Sequence, residues 1–120
     1  MTVIDAFMQA IDDRNAAAFD ALMTQNAYSY RIVVTGDSTT TGSSPLKGNF
    51  GKDRLKERFR EGQISITVTD HIAQVSGPYD FWINDKFSHC GYETFTLIKE
   101  KADWKITSLT YSVKREGCKK

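Results

Sequence analysis

The chain has 120 residues, of which 40% are hydrophobic and 26% are charged, so it is long enough to form one globular domain with its own core. Its 16 basic and 15 acidic side chains leave a formal net charge of +1, which argues against a nucleic-acid-binding protein. No apolar stretch reaches the roughly 18–20 residues that span a bilayer, and the first residues lack the basic segment of a secretory signal. We therefore expect a cytoplasmic protein with no membrane partner.

The two cysteines, Cys90 and Cys118, are far apart in the sequence and form no CxxC pair. With only two histidines besides, the sequence predicts no metal site and points to no cofactor. In a cytoplasmic protein the default expectation is two reduced thiols. A disulfide between them stays open as the alternative, because it depends on the separation of the two Cα atoms.

Three helices are predicted. In the first, apolar residues recur at helical spacing: Val3, Ile4, Phe7, Met8 and Ile11. Asn15 is a suitable cap for a second helix over 16–25, which would form a tight helical hairpin with the first. A third, highly charged helix is predicted over 49–61, because Gly62 is a good residue to end it.

The remaining segments are strand-like or irregular. Residues 27–35 alternate at period two and predict a strand. The polar segment 36–45 has no periodicity and predicts an exposed loop, which either covers a site or is a plain connection. Residues 63–75 predict a long strand with a bulge or bend near Asp70 and His71, where the apolar parity changes.

Residues 77–106 predict three antiparallel strands, the first two joined at Asn84-Asp85. If these two residues alone form the turn, Asp80 lies opposite His89 on the same face of the sheet. If the loop has three residues, Phe81 lies opposite His89 instead. Both registers remain open at this point.

The order of elements, with helices followed by a run of strands, is typical of an α+β fold. This order and the stretch AQVSGPYDFWINDKFSHCGYETFTLIKEKADWKI resemble the nuclear transport factor 2-like superfamily, and most closely its SnoaL-like and lumazine-binding-like members. The resemblance implies a single domain over 1–120, in which a cone-shaped curved antiparallel sheet packs against three N-terminal helices as a cystatin-like α+β roll. It also implies a homodimer.

The resemblance further implies a conical hydrophobic pocket for a small apolar or aromatic molecule. An isomerase, dehydratase or hydrolase type of enzyme that transfers a proton is one expectation. The alternative is a non-catalytic interaction or carrier module that uses the open face of the sheet. No catalytic motif of the superfamily matches this chain residue for residue, so whether it is an enzyme stays open.

Candidate site residues follow from side-chain chemistry. A histidine with a carboxylate neighbour suits acid–base work near neutral pH, so the candidate catalytic residues are His89, Asp80 and His71. Aromatic side chains, some with hydroxyl groups, suit the wall of a small-molecule pocket. The candidate ligand-binding residues are Tyr28, Tyr30, Phe59, Tyr79, Phe81, Phe95 and Trp104. For each of them a place in the core or at a subunit contact is the alternative.

Overall fold

The computed structural model describes residues 2–47 and 52–118. Within these residues two helices are followed by seven strands. The helices are α1 (Thr2–Asp12) and α2 (Ala16–Ala21), and the strands are β1 (Met23–Thr35), β2 (Ser38–Pro45), β3 (Leu55–Phe59), β4 (Ser65–Thr69), β5 (Ile72–Ile83), β6 (Lys86–Glu100) and β7 (Asp103–Val113).

All seven strands belong to one sheet in the order β2-β1-β7-β6-β5-β3, and β4 also pairs with β5. The first half of β5 pairs with β4 and the second half with β3. The β1–β7 pair is parallel and the other pairs are antiparallel, so the sheet is mixed rather than wholly antiparallel as expected. Register shifts in three of the pairings mark irregularities of the kind that bend strands. The predicted α+β architecture with a curved sheet is confirmed.

The hydrophobic core lies between α1, α2 and one face of the sheet. Phe7 of α1 packs edge-on against Phe95 of β6, with ring centroids 5.0 Å apart, and also contacts Phe19 of α2. The alternating residues of the central strands complete this core and are fully or almost fully buried: Ala73, Val75, Leu97 and Ile106. The helical spacing in α1 and the period of two in the strands therefore present their apolar faces to one another. The predicted stripe of α1 is the helical half of the core.

The predicted third helix is wrong. Residues 49–51 lie outside the described residues, but Leu55–Phe59 form β3, which pairs with β5. Leu55 and Phe59 fit a helical spacing of four, yet together with the buried Glu57 they also fit a strand period of two. Pairing with β5 supplies the backbone hydrogen bonds, and this tertiary contact decides between the two patterns. Two N-terminal helices, not three, cover the described part of the sheet.

The predicted loop over 36–45 is also wrong, because Ser38–Pro45 form β2 and pair with β1 along its whole length. This segment lacks apolar alternation since it is an edge strand whose side chains are mostly exposed. The second helix ends at Ala21 rather than at residue 25, and β1 begins at Met23.

Two turns define the strands of the longest hairpins. Asp70 and His71 form a full reversal between β4 and β5, where the sequence predicted one bent strand. Asn84 and Asp85 form a two-residue turn, one of the two alternatives that the sequence left open, and both have positive φ angles, of 51° and 67°. Asparagine and aspartate tolerate this left-handed backbone better than most residues, which explains their use in this hairpin.

Cys90 and Cys118 are joined by a disulfide, with their Cα atoms 5.9 Å apart. The expectation of two reduced thiols is therefore wrong, and the open alternative is correct. The bond attaches the segment that follows β7 to strand β6. Among residues 2–47 and 52–118, no helix combines the length and the apolar character needed to cross a membrane.

Candidate functional site

A cavity of about 580 Å³ lies between the inward face of the sheet and Phe7 of α1. This volume is in the usual range for small-molecule sites, roughly 300–1,000 Å³. Much of its wall is apolar: Phe7, Val33, Leu46, Leu55, Leu109 and Val113. The residues with polar side chains that also line the cavity lie on strands of the sheet or just beyond β7. The cavity therefore has a largely apolar wall with a small number of polar groups.

Two glutamates form a buried carboxyl pair beside this cavity. Glu57 of β3 lines the cavity, and its side chain is hydrogen-bonded to that of Glu93 on β6. They are only 6% and 1% exposed. Burial raises the pKa of Glu57 to about 7, although the hydrogen bond from Glu93 and the charge of Arg58 act in the opposite direction. Glu57 can therefore take up or release a proton near neutral pH.

Glu93 is the protonated partner of this pair. Burial raises its pKa well above the ordinary value, and the charge of Glu57 and the hydrogen bond to Glu57 raise it further. Two carboxyl groups in contact cannot both ionise at low cost, so the pair shares a proton. Within the described residues, no group other than the partner carboxyl is hydrogen-bonded to Oε2 of either glutamate. Buried carboxyl groups with so few partners are uncommon unless a site requires them.

His89 faces the same cavity from β6. Its ring stacks on Phe81, with centroids 4.8 Å apart, and its Nδ1 lies 2.9 Å from the hydroxyl oxygen of Ser88. Burial lowers the pKa of His89 to about 4, and the positive charge of Arg115 lowers it further in the same direction. The imidazole is therefore neutral at neutral pH. When Ser88 donates to Nδ1, the proton of the ring is on Nε2.

Strand register explains why these groups meet. Glu57 pairs with Phe81 across β3 and β5, and Phe81 pairs with His89 across β5 and β6. The three residues therefore form one row across the sheet, with the glutamate and the histidine on either side of the phenylalanine. Tyr79, two residues before Phe81, also lines the cavity, and its hydroxyl donates to the carbonyl oxygen of Ser112 at 2.7 Å. Burial and the nearby carboxyl charges raise the pKa of Tyr79, so it stays protonated.

The predicted Asp80–His89 pair does not form. The turn has two residues, but the register shifts between Phe81 and Trp82, because Trp82 pairs with Phe87 and Phe81 pairs with His89. Ser88 is the extra residue of this bulge. Asp80 consequently points to the opposite face, where Arg60 binds both of its oxygens at 2.8–3.2 Å.

The other predicted site residues are divided between the cavity, the core and the surface. Tyr79 and Phe81 line the cavity. His71 is exposed in the turn between β4 and β5. Tyr28 and Tyr30 are 41% and 49% exposed, on the face of β1 opposite to the cavity-lining Ser29 and Arg31. The last three predicted residues belong to the core or pack against it: Phe59, Phe95 and Trp104.

Several residues of the site were missed by the sequence analysis. Glu57 was assigned to a solvated helix face, and Glu93 was not considered. Arg31 and Arg115, which also line the cavity, were not considered either. A signal for Glu93 was present, because it has the same strand parity as Phe95 and Leu97 and so had to face inward.

Comparisons with solved structures identify the fold, whereas comparisons of the sequence find no match. No protein-family model matches the sequence, and no curated protein matches it. Solved structures do match. A nuclear transport factor 2-like (NTF2-like) superfamily protein from Salmonella enterica serovar Typhimurium superposes with a TM-score of 0.71 at 16% identity, over 98% of this chain and 89% of that chain.

Two further structures carry functional descriptions of their own. The β subunit of a proposed aromatic-ring-hydroxylating dioxygenase from Novosphingobium aromaticivorans has a TM-score of 0.70 and 14% identity, over 93% of this chain and 84% of its own. A proposed dehydratase of the NTF2-like family from Streptomyces avermitilis has a TM-score of 0.65 and 14% identity, over 94% and 91%. At these identities the likeness concerns architecture alone. The resemblance seen in the sequence is thus confirmed at the level of structure: this chain has the nuclear transport factor 2-like fold.

Proposed function

We propose that the cavity binds a small molecule and that Glu57 transfers a proton within it, supported by Glu93. The observation that carries this proposal is the buried carboxyl pair at the wall of an apolar cavity. Such a pair costs folding free energy, because each carboxyl loses its hydration. A site that needs a base near neutral pH gains from that same burial.

The roles of the residues follow from their protonation. With a pKa of about 7, Glu57 can accept a proton from a bound molecule and return it at another atom. Glu93 holds its own proton and donates a hydrogen bond to Glu57, which orients the base. Neutral His89 has a ring nitrogen available to a substrate oxygen. The expected class is an isomerase, a dehydratase or a hydrolase that uses proton transfer, with Glu57 in the role that the sequence had assigned to Asp80 and His89.

The proposed dehydratase from Streptomyces avermitilis and the dioxygenase subunit from Novosphingobium aromaticivorans support the idea that this fold accommodates enzyme-associated roles. The alternative is a carrier or an interaction module that uses the open face of the sheet. A cavity of about 580 Å³ lined by a titratable carboxyl favours a small-molecule role over a purely protein-binding one. A carrier would use the same cavity without turnover.

Proton transfer can be tested with benzylacetone, a small apolar ketone whose α-hydrogens exchange with solvent deuterium when a base removes them. We expect the wild-type protein to accelerate this exchange, measured by proton NMR, by about 10²-fold or more over buffer, the usual contribution of a positioned base. Glu57→Gln keeps the shape of the side chain but removes the base, so exchange should fall to the rate in buffer.

Glu61→Gln is the matched control, because Glu61 is exposed, lies outside the cavity and belongs to the same part of the chain. It should exchange benzylacetone as the wild type does. Equal exchange rates in the wild type and Glu57→Gln, or no acceleration by either, would reject proton transfer by Glu57. Binding of the ketone without exchange would support the carrier alternative.

The narrower expectations from the sequence remain proposals. These are membership of the SnoaL-like or lumazine-binding-like group, a homodimer and a cytoplasmic location. The disulfide between Cys90 and Cys118 weighs against the cytoplasm, because disulfides persist mainly in oxidising compartments. Sedimentation velocity would measure the proposed homodimer directly.

A further inference from the structure

We infer that the ligand of this cavity is a carboxylate with an apolar body, and that Arg115 binds the carboxylate next to His89. This inference rests on the proposed function, since it names the chemical class of the molecule that the cavity holds. The sequence predicted a small apolar or aromatic molecule, without a charged group.

The charges that line the cavity are mostly positive. Arg31 of β1 and Arg115, two residues after β7, both line it. The carboxyl pair shares a proton and so carries at most one negative charge, and the histidine is neutral, so the two guanidinium groups outnumber the negative charge of the wall. An anionic ligand would therefore meet a favourable potential as it enters.

Within the described residues, three other arginines form ion pairs with aspartates, whereas these two do not. Ion pairs join Arg54 to Asp85, Arg58 to Asp12 and Arg60 to Asp80. Across residues 2–47 and 52–118, neither Arg31 nor Arg115 has a carboxylate within ion-pair distance. Their donors are thus available to a ligand, and a guanidinium offers the planar pair of donors that a carboxylate accepts.

The backbone on both sides of Arg115 is fixed to β6. Immediately before it, Lys114 exchanges two backbone hydrogen bonds with Cys90, of 2.8 and 2.9 Å. Three residues after it, Cys118 is covalently bonded to Cys90. A binding group held in place before the ligand arrives loses less entropy on binding. The disulfide therefore orders the segment that carries the proposed anion-binding side chain.

The place of Arg115 relative to the reactive groups is also informative. The antiparallel bridge between Cys90 and Lys114 places Arg115 directly across from His89, and the charge of Arg115 lowers the pKa of that histidine. Arg31 lies on β1, two strands away from β6, and a Cβ added at Gly42 of β2 would be 3.2 Å from its Nη2 atom. Arg115 is thus the direct partner that we assign to the carboxylate. Arg31 adds a more distant positive charge.

The rest of the wall suits an apolar body. Phe81 stacks on His89, and Leu55 and Leu109 line the same cavity and add apolar surface to it. A flat ring or a short aliphatic chain would bury its surface there while its carboxylate stays near Arg115. The ligand class is therefore an aryl or alkyl carboxylate.

The test uses two matched probes, cinnamate and cinnamyl alcohol, which share the same body and differ in the anionic group. Isothermal titration calorimetry at about pH 6 would measure both affinities, because Glu57 is then mostly protonated. We expect cinnamate to bind at least about tenfold more tightly than the alcohol, the difference that one charge-assisted contact supplies. Arg115→Gln should remove this preference, and Arg31→Gln should reduce it by less.

Two further variants separate a specific contact from a general effect of charge. Lys114→Gln removes one positive charge next to Arg115 but does not alter a cavity-lining residue, so it should keep the preference. Cys118→Ser releases the segment around Arg115, so it should weaken cinnamate binding and leave the affinity for cinnamyl alcohol unchanged. The thermal unfolding temperature of each variant, measured alongside, shows that it is folded.

Each remaining outcome decides a different part of the inference. Equal affinities of the wild type for the two probes would reject the carboxylate but leave the small-molecule cavity standing. A preference for cinnamate that survives in Arg115→Gln, or that is lost equally in Lys114→Gln, would reject the assignment to Arg115. If neither probe binds, the inference fails together with small-molecule binding itself.

Discussion

The two ends of strand β6 show how one pattern can serve two purposes. At one end Phe95 and Leu97 face inward and are fully buried under the helices. At the other end Glu93 and His89 continue the same alternation, and His89 faces a cavity. Both ends obey a period of two. The difference between core and site therefore comes from what covers each end of the strand and from the chemistry of the inward residues.

The comparison also separates residues that stabilise the fold from residues that cost stability. An apolar side chain at an inward position gains free energy on burial, about 1.5–3 kcal/mol for a large one. Glu57 and Glu93 at equivalent positions have raised pKa values because burial disfavours their charged forms. The covered end should therefore respond to substitution mainly through stability, and the cavity end mainly through binding and protonation.

The largest expected effect is at the covered end. Phe95→Ala removes a ring that contacts the rings of Phe7 and Phe59, with centroids 5.0 and 5.9 Å apart, and should cost about 3–5 kcal/mol of unfolding free energy. The matched change at the cavity, Phe81→Ala, should cost clearly less because that side chain is only partly buried. Urea unfolding measures both. Equal losses would show that the two ends do not differ in this way.

The disulfide joins the cavity end of β6, at Cys90, to the segment that follows β7, at Cys118. It closes a loop with a sequence separation of 28, which should contribute about 3 kcal/mol by restricting the unfolded chain. A Cys90→Ser, Cys118→Ser double variant should therefore unfold at lower urea concentration than the oxidised protein. Reductant should bring the wild type to the level of the variant and leave the variant unchanged. A wild type that does not respond to reductant would contradict the prediction.

The carboxyl pair should make stability depend on pH. Folding raises the pKa of Glu57 from 4.5 to about 7, so its contribution is full below pH 4.5 and is lost as the pH rises through 7. His89 acts in the opposite direction: its folded pKa of about 4 is lowered from 6.5, so its contribution is full above pH 6.5 and is lost as the pH falls towards 4. The two slopes oppose each other in the wild type.

Glu57→Gln should separate these slopes. Relative to the wild type, this variant should gain roughly 2 kcal/mol of unfolding free energy between about pH 5 and pH 8, since it lacks the carboxyl that loses its proton. His89 is present in both proteins, so its contribution cancels in the difference. Urea unfolding at several pH values provides the measurement, with Glu61→Gln as the exposed control. A difference that is independent of pH would mean that Glu57 has an ordinary pKa in the folded protein.

The sequence predicted the α+β architecture with a curved sheet, but not the buried carboxyl pair. Tyr79 and Phe81 were candidate ligand-binding residues and both line the cavity, whereas the hairpin register at Asn84 and Asp85 was open between two alternatives. The bulge at Ser88 shifts the register, so that Asp80 does not lie opposite His89. No feature of the local sequence predicts this extra residue.

Contacts between different segments of the chain explain the other features that the sequence did not predict. The segment that contains Glu57 fits helical and strand periods equally, and pairing with β5 decides between them. Likewise, β2 has no apolar alternation and is held as a strand by β1. The disulfide depends on a Cα separation that the sequence does not contain. These features all arise from contacts with other segments of the chain, which the pattern within one segment does not contain.

The smallest expected effect is on the outer face of the sheet, at two aromatic residues that the sequence assigned to the ligand. Tyr28 and Tyr30 are close to each other, with ring centroids 6.4 Å apart, but they point away from the cavity. A Tyr28→Gln, Tyr30→Gln double variant should change the unfolding free energy of the monomer by about 0.5 kcal/mol or less per site. Its affinity for cinnamate should stay within about twofold of the wild-type value.

Calorimetry measures the affinity of this double variant and urea unfolding measures its stability. Sedimentation velocity would show whether this face takes part in the proposed homodimer. A large loss of cinnamate affinity without a change in self-association would show that these tyrosines contact the ligand. The ligand site would then extend beyond the inward face of the sheet.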